Sequence, residues 1–394
     1  MEYQFYEFRT VNRTLTKHEQ ATVNGWSSRN NATPTGAKFV YNYGDFKHNP
    51  EKCLLDYFDM MLYHANYGCR RVMLRFPKNL VDAKALRQYD YAFESDYERS
   101  LKIEVRGEYV LIDMEENLQD GGYDEWIDCE DTLSSLTTLW TDIVNGDYRC
   151  LYIAWLHFAS LALENELSDA DDEDDADFEE GARDEDGNLK EPPVPANLQK
   201  MTGALSEFIQ FWGISEDLIT AAASDSAPTQ HITFDLKKAI EALSDAEKTD
   251  YLLRFLQNEP HLAPVLTQKL EKANPSKTPQ YKTPRRTVQA ILDKESGVTT
   301  ARLKTEKEEN TAKRQLELQN MVKRADKMWE EVVTHLETKT GSNYDKATQL
   351  LKDLRELAIF KKDLPAFEQK MTAIKEKYGR SNALIGRFEK AKLV

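Results

Sequence analysis

A chain of 394 residues with 40% apolar and 10% aromatic side chains has material for two or three domains with cores of their own. Its formal net charge of −16 is unevenly spread: from Leu266 onward there are 28 Lys+Arg against 18 Asp+Glu, a net of +10, which leaves −26 on the residues before it. That split excludes a uniformly basic nucleic-acid-binding surface and suggests internal attraction or two different partners.

The opening "YQFYEFR" reads as a strand, and "TLTKHEQATVNGW" as a short helix capped by Thr14 or Thr16. "AKFVYNY" is a second strand. "NPEKCLLDYFDMMLYHA" carries helix-start signals, with Asn49 at the cap, Pro50 at the first helical position and Glu51 in the first turn. Leu54, Leu55, Phe58, Met61, Leu62 and Ala65 follow at spacings of three and four, so the whole stretch is predicted as one helix with one buried face. "RRVMLRF" is a strand ending at Pro77, with Val72, Leu74 and Phe76 on one side and Arg71, Met73 and Arg75 on the other. "LKIEVRGEYVLIDME" is a hairpin turning at Arg106–Glu108 around Gly107. "TLSSLTTLWTDIV" and "DYRCLYIAWLHFASLALENEL" are helices, the second apolar on nearly every side. Residues 1–166 are therefore expected to form an α+β domain, a ferredoxin-like arrangement being one possibility.

Residues 167–197 form an acidic, proline-containing linker. It includes "SDADDEDDADFEEGARDEDG", with twelve acids between Asp169 and Asp186 and one base, Arg183. A helical domain is expected over 198–273, with a capping box at Ser244 and Glu247. A basic, proline-containing linker covers 274–299, and 300–394 should hold a long helix followed by a helical hairpin. Leu318, Met321, Ala325, Met328, Val332 and Leu336 make an apolar stripe on the long helix, which "KTGSN" breaks at Gly341.

"FRTVNRTLTKHEQ", "SSRNNATPTGAKFVYNYGDF" and "RRVMLRFP" resemble the opening of a family of bacterial proteins with no assigned activity. "MWEEVVTHLETKTGSNYDKATQLLKDLRELA" resembles that family's C-terminal end, and is similar to the end of SWIM zinc-finger proteins. The zinc motif needs C-x-C followed by C-x-H, and neither spacing occurs here, so the resemblance implies no zinc role. Tyr344, Ala347, Leu350, Leu351 and Leu354 resemble the second helix of a single tetratricopeptide repeat.

Motifs narrow the chemistry mainly by exclusion. Cys53, Cys69, Cys129 and Cys150 stand far apart, which excludes a zinc ribbon and a secreted disulfide framework. The N-terminus lacks a signal-peptide pattern and no run reaches about 18 apolar residues, so no membrane span and a reduced, cytoplasmic setting are expected. The acidic run fails the calcium-loop pattern, because Gly181 and Gly187 would place Ala176 and Ala182 at its first position. No phosphate-binding loop, dinucleotide fingerprint or nucleophile elbow occurs, and no cofactor or metal is expected.

"GDFKHNPEKCLLDYFDMMLYH" gathers Asp45, His48, Cys53, Asp56, Asp59 and His64, readable as a Cys/His or carboxylate–His site or as a wet face flanking an apolar stripe. Arg71 and Arg75 share one strand face, open to an anion or to the domain's own acids. Lys282, Arg285 and Arg286 lie in the basic stretch Lys269–Arg286, which could hold a nucleic-acid backbone or fold back on the acidic body. The reading these patterns favour is a non-enzymatic interaction protein that binds a protein partner or a second copy through its C-terminal helices. Met328, Trp329, Val332 and Leu336 would form the centre of that interface, unless they pack on Leu350, Leu351 and Leu354 of the same chain. A nucleic-acid-associated role and an enzyme with a site in the N-terminal domain are the alternatives.

Overall fold

The computed structural model describes residues 3–27, 32–42, 44–92, 98–118, 131–168, 188–228, 235–257, 259–273 and 285–393. The acidic run Asp169–Asp186, Cys129 and Lys282 lie outside the described residues. The chain is α+β and divides into two compact units, Met1–Val298 and Thr299–Val394.

Six antiparallel strands build one sheet in the first unit: β1 (Gln4–Arg9), β2 (Gly36–Tyr41), β3 (Met60–Ala65), β4 (Cys69–Pro77), β5 (Arg99–Arg106) and β6 (Tyr109–Asn117). Their spatial order is β2-β1-β3-β4-β6-β5. Gly36 is required by the close approach of β2 to β1, since a side chain there would lie 2.5 Å from the Phe8 carbonyl oxygen. Gly107 holds φ +59° in the β5–β6 hairpin, where the sequence places the turn.

Both faces of the sheet are covered. Helices α1 (Lys17–Asn24) and α2 (Pro50–Tyr57) accompany the face bearing Tyr6, Phe8, Phe39, Met61, Met73 and Leu111. Thr16 caps α1 in a reciprocal box with Glu19, and Asn49 caps α2 with Pro50 behind it. After the short α3 (Ala83–Leu86) and α4 (Thr132–Ser135), the opposite face meets α5 (Thr137–Val144), α6 (Arg149–Ser168) and α7 (Gly203–Trp212). Here Met60, Leu62, Val72, Leu74, Phe76, Ile103 and Ile112 share a core with Trp140, Trp155, Phe158, Phe208 and Trp212. From Cys150 to Ala159, α6 is buried on nearly every side, as a sequence apolar but for His157 leads one to expect, while Trp140 stacks on Phe76 at 5.1 Å.

The predicted helix over Asn49–Ala65 is corrected: α2 ends at Tyr57, Phe58 is extended, and the remainder is β3 between β1 and β4. A central strand buried on both faces is apolar at consecutive positions, and over six residues this mimics helical spacing. Residues 1–166 and the following helices also share one core, which runs on to Val288 and Ile291. Among the described residues, the helices that join it are α7 and α8 (Glu216–Ala223), with Val265 of α11 (Leu262–Ala273) packed against it, whereas α9 (Leu236–Glu241) and α10 (Asp245–Leu256) contribute no residue to it.

Helix α12 (Val288–Val322) begins inside the stretch predicted as linker. The predicted long helix is interrupted at Lys323–Arg324, and α13 (Ala325–Glu337) continues the stripe. The hairpin break falls at Thr338–Thr340, with Lys339 at φ +53° and Gly341 opening the next helix. The second unit's remaining helices, α14 (Gly341–Phe360), α15 (Leu364–Tyr378) and α16 (Asn382–Lys390), close around Leu336, Leu351, Leu354, Phe367, Met371 and Phe388.

Candidate docking surface

Helix α10 is turned inside out. Its sequence "DAEKTDYLLRFL" places Glu247, Tyr251 and Arg254 on one side and Leu252, Leu253 and Leu256 on the other, with Phe255 flanking. The polar side meets α11: Glu247 pairs with Lys269 at 2.7 Å, and the Lys269 ammonium lies 5.4 Å over the Tyr251 ring. Arg254 lies 4.9 Å over the same ring and forks onto Glu259 with two 2.6 Å hydrogen bonds. Hydrogen bonds from Lys269 and Ser244 pull Glu247 down to about 2, and Glu259 raises Arg254. Ser244 and Glu247 close the capping box that starts the helix.

The apolar side faces water. Leu252 is 64% exposed, Leu253 53%, Phe255 69% and Leu256 74%, and no residue of α10 is buried. The preceding α9 adds exposed Leu236 and Ile240. Scattered single apolar residues are normal on a surface, whereas four on two turns of one helix form a patch. The charges from Asp235 to Arg254 are mixed: Asp235, Glu241, Asp245, Glu247 and Asp250 against Lys237, Lys238, Lys248 and Arg254.

The residues singled out from sequence lie elsewhere. Met328, Val332 and Leu336 are buried within the second unit together with Leu351 and Leu354, while half-buried Trp329 rests 5.7 Å from Phe367 under Lys370. Arg71 forks onto Asp113 at 2.8 and 2.6 Å. Arg75, almost fully buried, donates from Nη2 to Asp59 Oδ1 at 2.5 Å and from Nη1 to the Leu55 carbonyl at 2.6 Å. The other Asp59 oxygen accepts from the Val11 amide and Arg13 Nε, and His261 Nε2 stands 3.5 Å from Oδ1. Burial pushes the Asp59 carboxyl up, but the bond from His261 and the charges of Arg75 and Arg13 outweigh it, so the net is below the ordinary value. His261 holds φ +57° and stacks on Trp140 at 5.0 Å.

Arg286 is likewise engaged: its Nε and Nη2 fork onto buried Glu191 at 2.8 and 2.9 Å, and Nη2 also donates to the Ala222 carbonyl near the end of α8. The Tyr152 hydroxyl donates to the same carboxylate at 2.6 Å. Arg285 is exposed.

The Asp45–His64 constellation is dispersed over both faces of the sheet. Cys53 is buried beneath α2 with its thiol pushed up to about 12 by burial, His48 packs against Trp26 and Phe46, Asp45 accepts from Gln4, and His64 points to the opposite face. Among the described residues no group of three or more His, Cys, Asp and Glu could hold a metal ion, and no helix is long and apolar enough to cross a membrane. No protein-family model, curated protein or solved structure matches this chain.

Proposed function

We propose that the protein is a non-enzymatic scaffold that assembles through the outward apolar face of α10, with a second copy of the chain as the occupant. The observation that carries this reading is the reversed polarity of α10, whose leucines and Phe255 stand in water while its charges face α11. A two-fold pairing places the same patch on both partners, so an apolar face complements itself. The mixed rim charges offer no cationic excess to hold phosphates, which argues against a nucleic-acid backbone or an anionic membrane at this face.

The magnitude fits a reversible dimer. Full burial of an exposed Leu or Phe is worth about 1.5–3 kcal/mol, so side chains that start half to three-quarters exposed gain about 1–2 kcal/mol each. Eight such side chains in a pair give about 8–16 kcal/mol against an association cost of about 4–15 kcal/mol, so the net runs from none to about 12 kcal/mol, a span that includes the roughly 8 kcal/mol of a micromolar dissociation constant. Sedimentation velocity tests it. The weight-average mass should rise above 45.5 kDa between about 1 and 100 μM, and the Leu253→Glu/Phe255→Glu variant should stay monomeric with an unchanged thermal transition. A wild-type chain that remains monomeric throughout this range refutes the proposal.

A second reading keeps the C-terminal helices as the docking element. An open groove of about 720 Å³ runs along α12 and the end of α14, lined by Leu303, Leu318, Ile359 and Phe360 with Lys307 and Arg314 at its sides. It supports seating an amphipathic partner helix. Phe360→Glu, outside the α10 patch, separates the two readings: loss of self-association with this variant and not with the α10 variant would favour the groove.

A further inference from the structure

The helix that carries the exposed patch is held to the protein differently from its neighbour. α11 is anchored in the core. His261 at its start is buried against Trp140 and Asp59, and Gln268 Nε2 donates to the Leu80 and Val144 carbonyls at 2.7 and 3.0 Å. Leu270 is buried as well. α10 has no buried residue, and its leucines face water.

What fastens α10 to α11 is polar and centred on one side chain. The Lys269 ammonium meets Glu247 at 2.7 Å near the start of α10 and lies 5.4 Å over the Tyr251 ring one turn on. The Glu247 and Lys269 side chains are 41% and 42% exposed, so solvent and ions reach the pair. Arg254 covers the same ring and forks onto Glu259, which ties the end of α10 to the turn that follows it. A helix of 12 residues such as α10 is marginal in water by itself. Apolar burial does not make up the difference, because the apolar side is the wet one. Its fold therefore leans on its capping box and on this seam.

We propose, resting on the reading of the α10 patch as the self-association face, that Lys269 is an ionic latch that keeps α10 folded and in place, so that self-association weakens as ionic strength rises. The sign is opposite to that of a plain apolar interface. Burial of apolar surface is not screened, so added salt leaves such an interface unchanged or tightens it. Here salt acts one step earlier. Between about 0.1 and about 1 M the Debye length shortens from about 10 to about 3 Å, the seam loosens, and α10 frays before its leucines can pack. An exposed ion pair is worth up to about a fivefold shift in such an equilibrium.

Hydrogen exchange read by mass spectrometry on the dilute full chain, at about 0.2 μM, follows the latch without the dimer. Raising NaCl from about 0.1 to about 1 M should speed exchange of α10 peptides about threefold to fivefold and leave α6 peptides unchanged. Lys269→Gln should show the fast α10 exchange already at low salt. Sedimentation velocity over the same salt range should give a dissociation constant that rises about threefold or more. Exchange in α10 that ignores both salt and Lys269→Gln overturns the latch, whatever the association does. Salt-sensitive exchange beside an association that holds or tightens overturns the control of self-association. Salt-sensitive exchange in a chain that never associates refutes the self-association reading and leaves the latch standing.

Discussion

Replacing Asp59 by alanine should be among the most damaging single changes in the first unit. The carboxylate is fully buried and serves the Val11 amide, Arg13, Arg75 and His261 at once. Its removal leaves the Arg75 guanidinium, 4% exposed, without a counter-charge, and strands a buried backbone N–H. Breaking a buried pair in this way costs about 3–5 kcal/mol, which lowers the transition by roughly 6–15 °C for a unit of this size. Adding Arg75→Met to Asp59→Ala removes the stranded charge and should recover about 1–3 kcal/mol as a coupling energy. The sign with pH follows from the lowered folded value: the stabilisation is present above the unfolded carboxyl value of about 3.9 and is lost as pH falls through the folded one. Urea denaturation of wild type and variants at pH 7, repeated toward pH 3, gives both quantities. A loss below about 1 kcal/mol for Asp59→Ala, or no gain in the double variant, would refute the view that this cluster is a closed electrostatic knot.

Three further outcomes are expected. Glu191→Gln keeps the shape but removes the charge shared by Arg286 and Tyr152, and should cost about 2–4 kcal/mol, seen as a lower urea midpoint. The folded values of His64 and His157 lie below the unfolded one, so stability is full above pH about 6.5 and falls toward pH 4 as the unfolded histidines take up protons. Each contributes up to about 3 kcal/mol over that window, and the pH profile of His157→Phe in chemical denaturation should lack its share, read as the difference from the wild-type profile between about pH 6.5 and 4. In the second unit, Leu336→Ala opens a cavity at a fully buried position and should cost about 2–5 kcal/mol, whereas Leu316→Ala, 59% exposed, should stay within about 0.5 kcal/mol by thermal denaturation.

What could be read in advance depended on how local the cause was. The Asn49–Pro50 start of α2, the Ser244–Glu247 box and the Gly107 turn are fixed by neighbours a few residues away, and each stands where local chemistry puts it. The nearly continuous apolar run of α6 from Cys150 announced its own burial. β3 was misread because a two-sided central strand and a helix share the same short apolar pattern. The pairing of Asp59 with His261 was invisible, since a lone histidine two hundred residues away carries no signal of its partner. For α10 the amphipathic pattern is plain in the sequence, but which side faces the protein depends on α11, through Lys269. The buried polar row needed strand register: His64, Arg70, Arg99 and Glu116 become neighbours only once four strands are aligned.

His261 also bears on the order in which the chain can mature during synthesis. It follows β3 by nearly two hundred residues, and Arg286, which secures Glu191, emerges later still. Until those residues leave the ribosome, Asp59 and Glu191 lack these partners, and the sheet face beneath α5 and α6 lacks the side chains of Val288 and Ile291. The sheet's own strands are finished by Asn117, so a nascent chain spends a large part of its synthesis, from Asn117 to Ile291, with a completed sheet that is not yet sealed. That interval is when this protein would most depend on a chaperone.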